Sequence, residues 1–161
     1  MFLRLRVFTE RMRPGDPVPD FELPAHDGRT VRLSEELPRG PVVLFFYPRA
    51  FTPGCTKESC HFRDLEAEFA AVGASRLGIS ADPVDRQRQF SEKHGFDFPL
   101  LSDPDRTVAR QYGVKRPGPL FNRRATFVIG ADGRLLAEIH SEVDMGKHAD
   151  DALAVLRAQA A

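Results

Sequence analysis

Between Pro41 and Pro48 the chain reads Val-Val-Leu-Phe-Phe-Tyr without a polar residue, and this run constrains the fold more than any other feature. It has the length of a strand and is bounded by prolines on both sides. Its residues do not alternate between apolar and polar, so neither face of the strand can meet water. A strand of that kind lies inside a sheet covered on both sides.

The flanking pattern supplies the covers. Arg76-Leu-Gly-Ile-Ser80 reads as a second core strand and Phe98 to Leu101 as a third. A helix is expected from Pro53 to a stop at Gly73, with Phe62, Leu65, Phe69 and Val72 on its apolar face. A second should open at Asp82-Pro83, with Asp as cap and Pro at the first helical position, and end at His94-Gly95. Asp105 to Tyr112 is a short helix closed by Gly113, and 147–159 a final one with Ala152, Leu153 and Leu156 inward. Two hairpins complete the set. Phe21–Leu23 pairs with Thr30–Leu33 through His26-Asp27-Gly28, and Arg124–Ile129 with Arg134–His140 through Ala131-Asp132-Gly133. The expectation is an α/β sandwich with a central mixed sheet, helices on both faces and an N-terminal hairpin.

At 161 residues this is one domain, taken as 14–161, behind an N-terminal arm, 1–13, that is flexible or precedes a true start at Met12. Basic and acidic residues balance at 23 each, which argues against nucleic acid or an anionic membrane as the main partner. No apolar run approaches the roughly 18 residues of a membrane span. Arg4, Arg6 and Glu10 interrupt the N-terminus, so no secretory signal is read there and a cytoplasmic location is expected.

Two cysteines are too few for a disulfide scaffold, so reactivity or metal binding is the reason to examine them. Cys55 falls in the first turn of the helix that begins near Pro53, with Thr52 as its cap. Unpaired N–H groups and the positive end of the helix dipole favour a thiolate there. The competing reading is a pair of buried cysteines acting as small hydrophobes. Four residues separate Cys55 from Cys60, not the two of a thioredoxin-type pair, and Cys55, Cys60 and His61 have no familiar zinc spacing. Each of the five histidines is read as a surface or helix-end residue, which leaves a Cys–His hydrolase open but unsupported.

The string Phe46-Tyr47-Pro48, Thr52-Pro53-Gly54-Cys55-Thr56, Glu58 and Cys60 resembles the peroxiredoxin active-site signature, in its bacterioferritin-comigratory (PrxQ-type) form. Gly15 to Phe21 and Arg124-Ala-Thr-Phe-Val128 carry the resemblance on, over about 14–158 of the chain. It implies a thioredoxin-like three-layer fold and a thiol-dependent peroxidase for hydrogen peroxide and organic hydroperoxides. Cys55 would be the peroxidatic cysteine and Cys60 the resolving one, joined in an intramolecular disulfide. Thr52 and Arg124 would position the peroxide, and Pro48 would shield the thiolate. A thioredoxin-type dithiol is the implied reductant, the implied state is a monomer, and no cofactor or metal is called for. A redox sensor or holdase using the same cysteines is the alternative, separated by whether the protein turns over. A non-catalytic binding module is disfavoured because every reactive position is present.

Two features depart from the family pattern. Arg49-Ala50-Phe51 stands where more polar residues are usual, which predicts a more apolar pocket mouth. Arg123 adjoins Arg124, but strand alternation puts Arg124, Thr126 and Val128 on one face and leaves Arg123 to solvent. An arginine at the site matters more than thiol acidity does. Lowering a thiol's pKa from about 8.5 to about 6 raises its thiolate fraction at neutral pH roughly thirtyfold. The accompanying fall in nucleophilicity returns about tenfold of that. Fixed donors aimed at the peroxide oxygens must therefore supply most of the rate.

Overall fold

A computed structural model describes residues 11–160. The first ten residues of the expected arm lie outside that range, whereas Arg11 reaches Glu138 at 3.5 Å and Met12 packs against the core. In chain order the elements are β1 (Glu22–Pro24), β2 (Thr30–Arg32), α1 (Leu33–Glu36), β3 (Val42–Phe46) and α2 (Pro53–Asp64). Then come α3 (Glu66–Ala71), β4 (Ser75–Ser80), α4 (Val84–His94), β5 (Leu100–Ser102) and α5 (Thr107–Gln111). The chain closes with β6 (Ala125–Ile129), β7 (Leu135–His140) and α6 (Met145–Ala160).

The main sheet has the order β5-β4-β3-β6-β7, parallel on the β4–β5 side of β3 and antiparallel on the other, so it is mixed. The proline-bounded run is its middle strand, and every residue of β3 is buried. Alternation along β3 divides the core in two. Val42, Leu44 and Phe46 join α5, the N-terminal hairpin and Leu33 on one face. Val43 and Phe45 join α2, α3, α4 and α6 on the other. Aromatic rings fill that second layer: Phe45 stacks on Phe62 with centroids 4.1 Å apart, and Phe62 lies 5.8 Å from Phe69. This is the expected three-layer sandwich with its N-terminal hairpin.

Three local expectations differ from the structure. The helix expected over 53–72 breaks at Leu65, whose backbone leaves helical geometry (φ −95°, ψ 21°), so α3 can turn Phe69 into the core. Asp82 does not cap α4. The cap is Pro83, and the buried Asp82 carboxylate instead accepts hydrogen bonds from Ala50 N at 2.8 Å and Ser80 Oγ at 2.6 Å. A tertiary partner has outcompeted the local cap. α1, with a 3-10 turn over Leu37–Arg39, follows β2 where the sequence pattern showed only the end of a strand.

Candidate active site

The loop from β3 to α2 is pinned before it delivers Cys55. Asp82 holds Ala50 N, and Tyr47 donates its hydroxyl to Gln87, which in turn donates to Ser80 Oγ at 3.0 Å and Leu101 O at 2.8 Å. Phe51 adopts a left-handed backbone (φ 65°), which is strained for a non-glycine residue. Its ring packs 5.2 Å from Phe90, with the Arg86 guanidinium 4.8 Å over it. Ala50 is buried and Phe51 is turned against α4. Phe121 is an exposed apolar residue beside the loop, with Arg49 6.0 Å over its ring. Pro48, half-buried, lies two residues beyond the end of β3 at the head of the loop.

α2 begins at Pro53 with Thr52 at the cap position, but the Thr52 hydroxyl caps nothing. It donates to Arg49 O at 2.7 Å. Its hydrogen is therefore committed, which leaves the oxygen free to act as an acceptor only. The first bond of the helix runs from Thr56 N to Thr52 O at 2.9 Å, which leaves the Gly54 and Cys55 amides outside the ladder at the positive end of the dipole. Cys55 is fully buried there, and its neighbour Gly54 has a reason to be glycine. A Cβ on Gly54 would lie 3.2 Å from Arg124 Nη2 and 3.3 Å from Met145 Sδ.

Arg124 precedes β6 on the same face as Thr126 and Val128, as the register argument required, while Arg123 is exposed. Its Nη2 donates to Cys55 Sγ at 3.3 Å and its Nη1 to Glu58 Oε1 at 3.2 Å. Glu142 Oε1 accepts its backbone N–H at 3.0 Å. Burial works against the guanidinium charge, but Glu58 and Cys55 outweigh it and hold Arg124 more firmly protonated than usual. Burial pushes the Glu58 carboxyl up to about 8, against the pull of Arg124.

Glu58 was visible in the motif but had no role assigned. Its position three residues after Cys55 puts both on one helix face. His148 was missed outright. It is fully buried on α6 and lies between Thr126 Oγ1 at 2.9 Å and Ser141 O at 2.8 Å, against the expectation of surface histidines. The signal was its place one turn before Ala152 on the inward face of that helix. Cys60 is half-buried on α2, and burial pushes its thiol up, with Arg63 opposing. The structure thus brings Cys55, Arg124 and Glu58 into contact, places Thr52 at the same helix end, and holds Cys60 one and a half turns away on the same helix.

A family model described as AhpC/TSA matches residues 14–137. A protein of Mycobacterium tuberculosis (strain ATCC 25618 / H37Rv) named as a peroxiredoxin is 60% identical over 150 residues, spanning 91% of this chain and 97% of its own. The crystal structure of peroxidoxin BcpB from Mycobacterium tuberculosis superposes with a TM-score of 0.89 at 58% identity, covering 92% of this chain and 98% of that one. The bacterioferritin comigratory protein of Xanthomonas campestris, whose structures concern alkyl peroxide reduction, gives a TM-score of 0.81 at 34% identity over 88% of this chain and 92% of that one.

Proposed function

The chain belongs to the AhpC/TSA family, in its bacterioferritin-comigratory, Q-type peroxiredoxin group, and from that membership we propose a catalytic cycle built on Cys55 and Cys60. A peroxiredoxin-type peroxidase takes a peroxide and a thiol reductant. Here the Cys55 thiolate attacks the terminal peroxide oxygen in line, the O–O bond breaks, and an alkoxide or hydroxide leaves while Cys55 becomes a sulfenic acid. The Arg124 guanidinium and the free Gly54 and Cys55 amides are the donors for the polarised oxygens, and Thr52 accepts the peroxide O–H. Cys60 then condenses with the sulfenic acid, releasing water and forming the intramolecular disulfide. A thioredoxin-type dithiol reduces it, with the protein acting as a monomer in the cytoplasm.

The observation that carries this reading is the 3.3 Å contact from Arg124 Nη2 to a sulfur buried at a helix N-terminus. Little else explains an arginine and a cysteine sealed together on an enzyme scaffold. The test is peroxide consumption with a thioredoxin system. Cys55→Ser should abolish turnover. Cys60→Ser should still give a dimedone-reactive sulfenic acid on Cys55 yet lose most thioredoxin-driven turnover. Residual turnover in Cys55→Ser, or full turnover in Cys60→Ser, removes the corresponding residue from the cycle.

A further inference from the structure

One guanidinium stands between two buried acid groups. Arg124 spends Nη2 on Cys55 Sγ and Nη1 on Glu58 Oε1, and both acceptors are closed to solvent. If both were anions, the pocket would carry one uncompensated negative charge. If both were neutral, it would carry one uncompensated positive charge. Neither is tolerable without water. Yet the proposed chemistry removes the charge from Cys55 in one step, so something else must change with it.

We propose that Glu58 counter-titrates with Cys55: it holds a proton while Cys55 is a thiolate and yields that proton as Cys55 becomes a sulfenic acid, so that Arg124 always faces one anion. The inference rests on the Cys55 reading above and deepens it. The balance is Cys55-S⁻ + Glu58-COOH + ROOH → Cys55-SOH + Glu58-COO⁻ + ROH. The sulfur is oxidised, the peroxide is reduced, and the proton Glu58 gives up matches the one the leaving alkoxide takes. Glu58 touches no substrate, so it is a positioning residue acting through Arg124.

The surroundings of Glu58 suit both of its states. Its Oε2 has no hydrogen-bond partner and lies 3.4 Å from His148 Nε2. Ser141 O, accepting at 2.8 Å, fixes a hydrogen on that nitrogen, and Nδ1 accepts from Thr126. Burial keeps the ring neutral, with Arg124 adding to the effect. The Nε2 hydrogen is spent on Ser141 O, so the ionised carboxylate meets the polar N–H edge of a neutral ring rather than a hydrogen bond or a second buried cation. Cys55 and Glu58 share α2, Arg124 directly precedes β6 and His148 comes from α6. Glu142, after β7, adds a repulsion that favours the protonated form and is itself held by Arg116 at 3.0 Å.

Infrared difference spectra of the full chain bearing Cys60→Ser, reduced against peroxide-oxidised at neutral pH, test this directly. One carboxylic-acid C=O band should disappear on oxidation and a carboxylate band should appear. Labelling glutamate carboxyls with ¹³C should shift both bands, and adding Glu58→Gln should remove both. Dimedone labelling of the same sample reports the sulfenic acid independently. A labelled sulfenic acid without a band change, or a change that survives Glu58→Gln or ignores the isotope, overturns the proposal. Absence of the dimedone adduct instead overturns the Cys55 reading.

Discussion

Oxidation of the proposed pair should unwind the start of α2, and the helix geometry sets by how much. Cys55 and Cys60 both lie within Pro53–Asp64. Five helical steps give a rise of about 7.5 Å and an angular offset of about 140°, so the two Cα atoms stand roughly 8–9 Å apart. Disulfides seldom bridge more than about 7 Å between Cα atoms. The intact helix therefore excludes the bond. Opening it breaks two hydrogen bonds from Arg124 to Cys55 and Glu58, worth about 1.5–3 kcal/mol each where a charged group takes part. That total keeps the reduced form open less than about one part in a hundred. Unwinding should halt before Phe62, which is fully buried and stacked on Phe45, because exposing such a ring costs about 3 kcal/mol or more. Amide exchange across 54–60 should thus be at least about a hundredfold faster in the oxidised protein than in the reduced one. Protection at 62–64 should persist. Unchanged protection across 54–60, or an oxidised protein that runs as a covalent dimer on non-reducing gels, would refute the reasoning.

Gly54→Ala gains helix propensity of up to about 1 kcal/mol. Its Cβ would also press on Arg124 Nη2 at 3.2 Å. The rate with peroxide should drop roughly tenfold, about 1.4 kcal/mol of barrier, while Tm holds or rises. A rate equal to the parent would show that Arg124 needs no close placement. Glu58 lifts from 4.5 to about 8 on folding, and a raised carboxyl contributes stability below its unfolded value that is lost as pH climbs through the folded one. Urea titrations of the reduced protein should therefore lose on the order of 4–5 kcal/mol from this group over that window, and Glu58→Gln should flatten the fall. Parallel curves would contradict it. Gly78→Ala puts a Cβ 2.8 Å from Leu100 Cδ2 and 2.9 Å from Phe45 Cζ in mid-sheet. It should destabilise by about 1–3 kcal/mol in chemical denaturation and spare the peroxide rate, and an unaltered midpoint would show that the layer can yield.

What the sequence made legible was what local pattern controls. The unbroken run before Tyr47 gave the middle strand, strand alternation separated Arg124 from Arg123, and motif spacing put Cys55 in the first helical turn. What stayed hidden depends on partners distant in the chain. Asp82-Pro83 carries a cap signal, yet Ala50 N, 32 residues away, claims the carboxylate. Thr52 occupies its cap position, but its hydroxyl turns back to Arg49 O. His148 looks like a helix-start histidine until Thr126 and Ser141 close around it. Hydrogen-bond choices among competing acceptors are tertiary facts, and periodicity does not encode them.

The two sides of Cys55 are held by different kinds of force, and that difference connects chemistry to motion. On the loop side the restraints are Asp82 on Ala50 N, Gln87 with Tyr47, and Phe51 wedged between Arg86 and Phe90. None of them hydrogen-bonds to the sulfur. On the helix side the restraint is Arg124, whose hold on Cys55 depends on an acceptor that the proposed reaction alters. A thiolate offers the guanidinium an opposite charge as well as a hydrogen-bond acceptor, whereas a neutral sulfenic acid offers the acceptor alone. Oxidation should therefore loosen the first turn of α2 around Cys55 and leave the loop in place. Cys60, held with its thiol pushed up by burial while the helix is intact, reaches water and its reactive form through the same opening. The step that creates the sulfenic acid thus also weakens the restraint on Cys55 itself, while Arg124 keeps its hold on Glu58 one turn further along the helix.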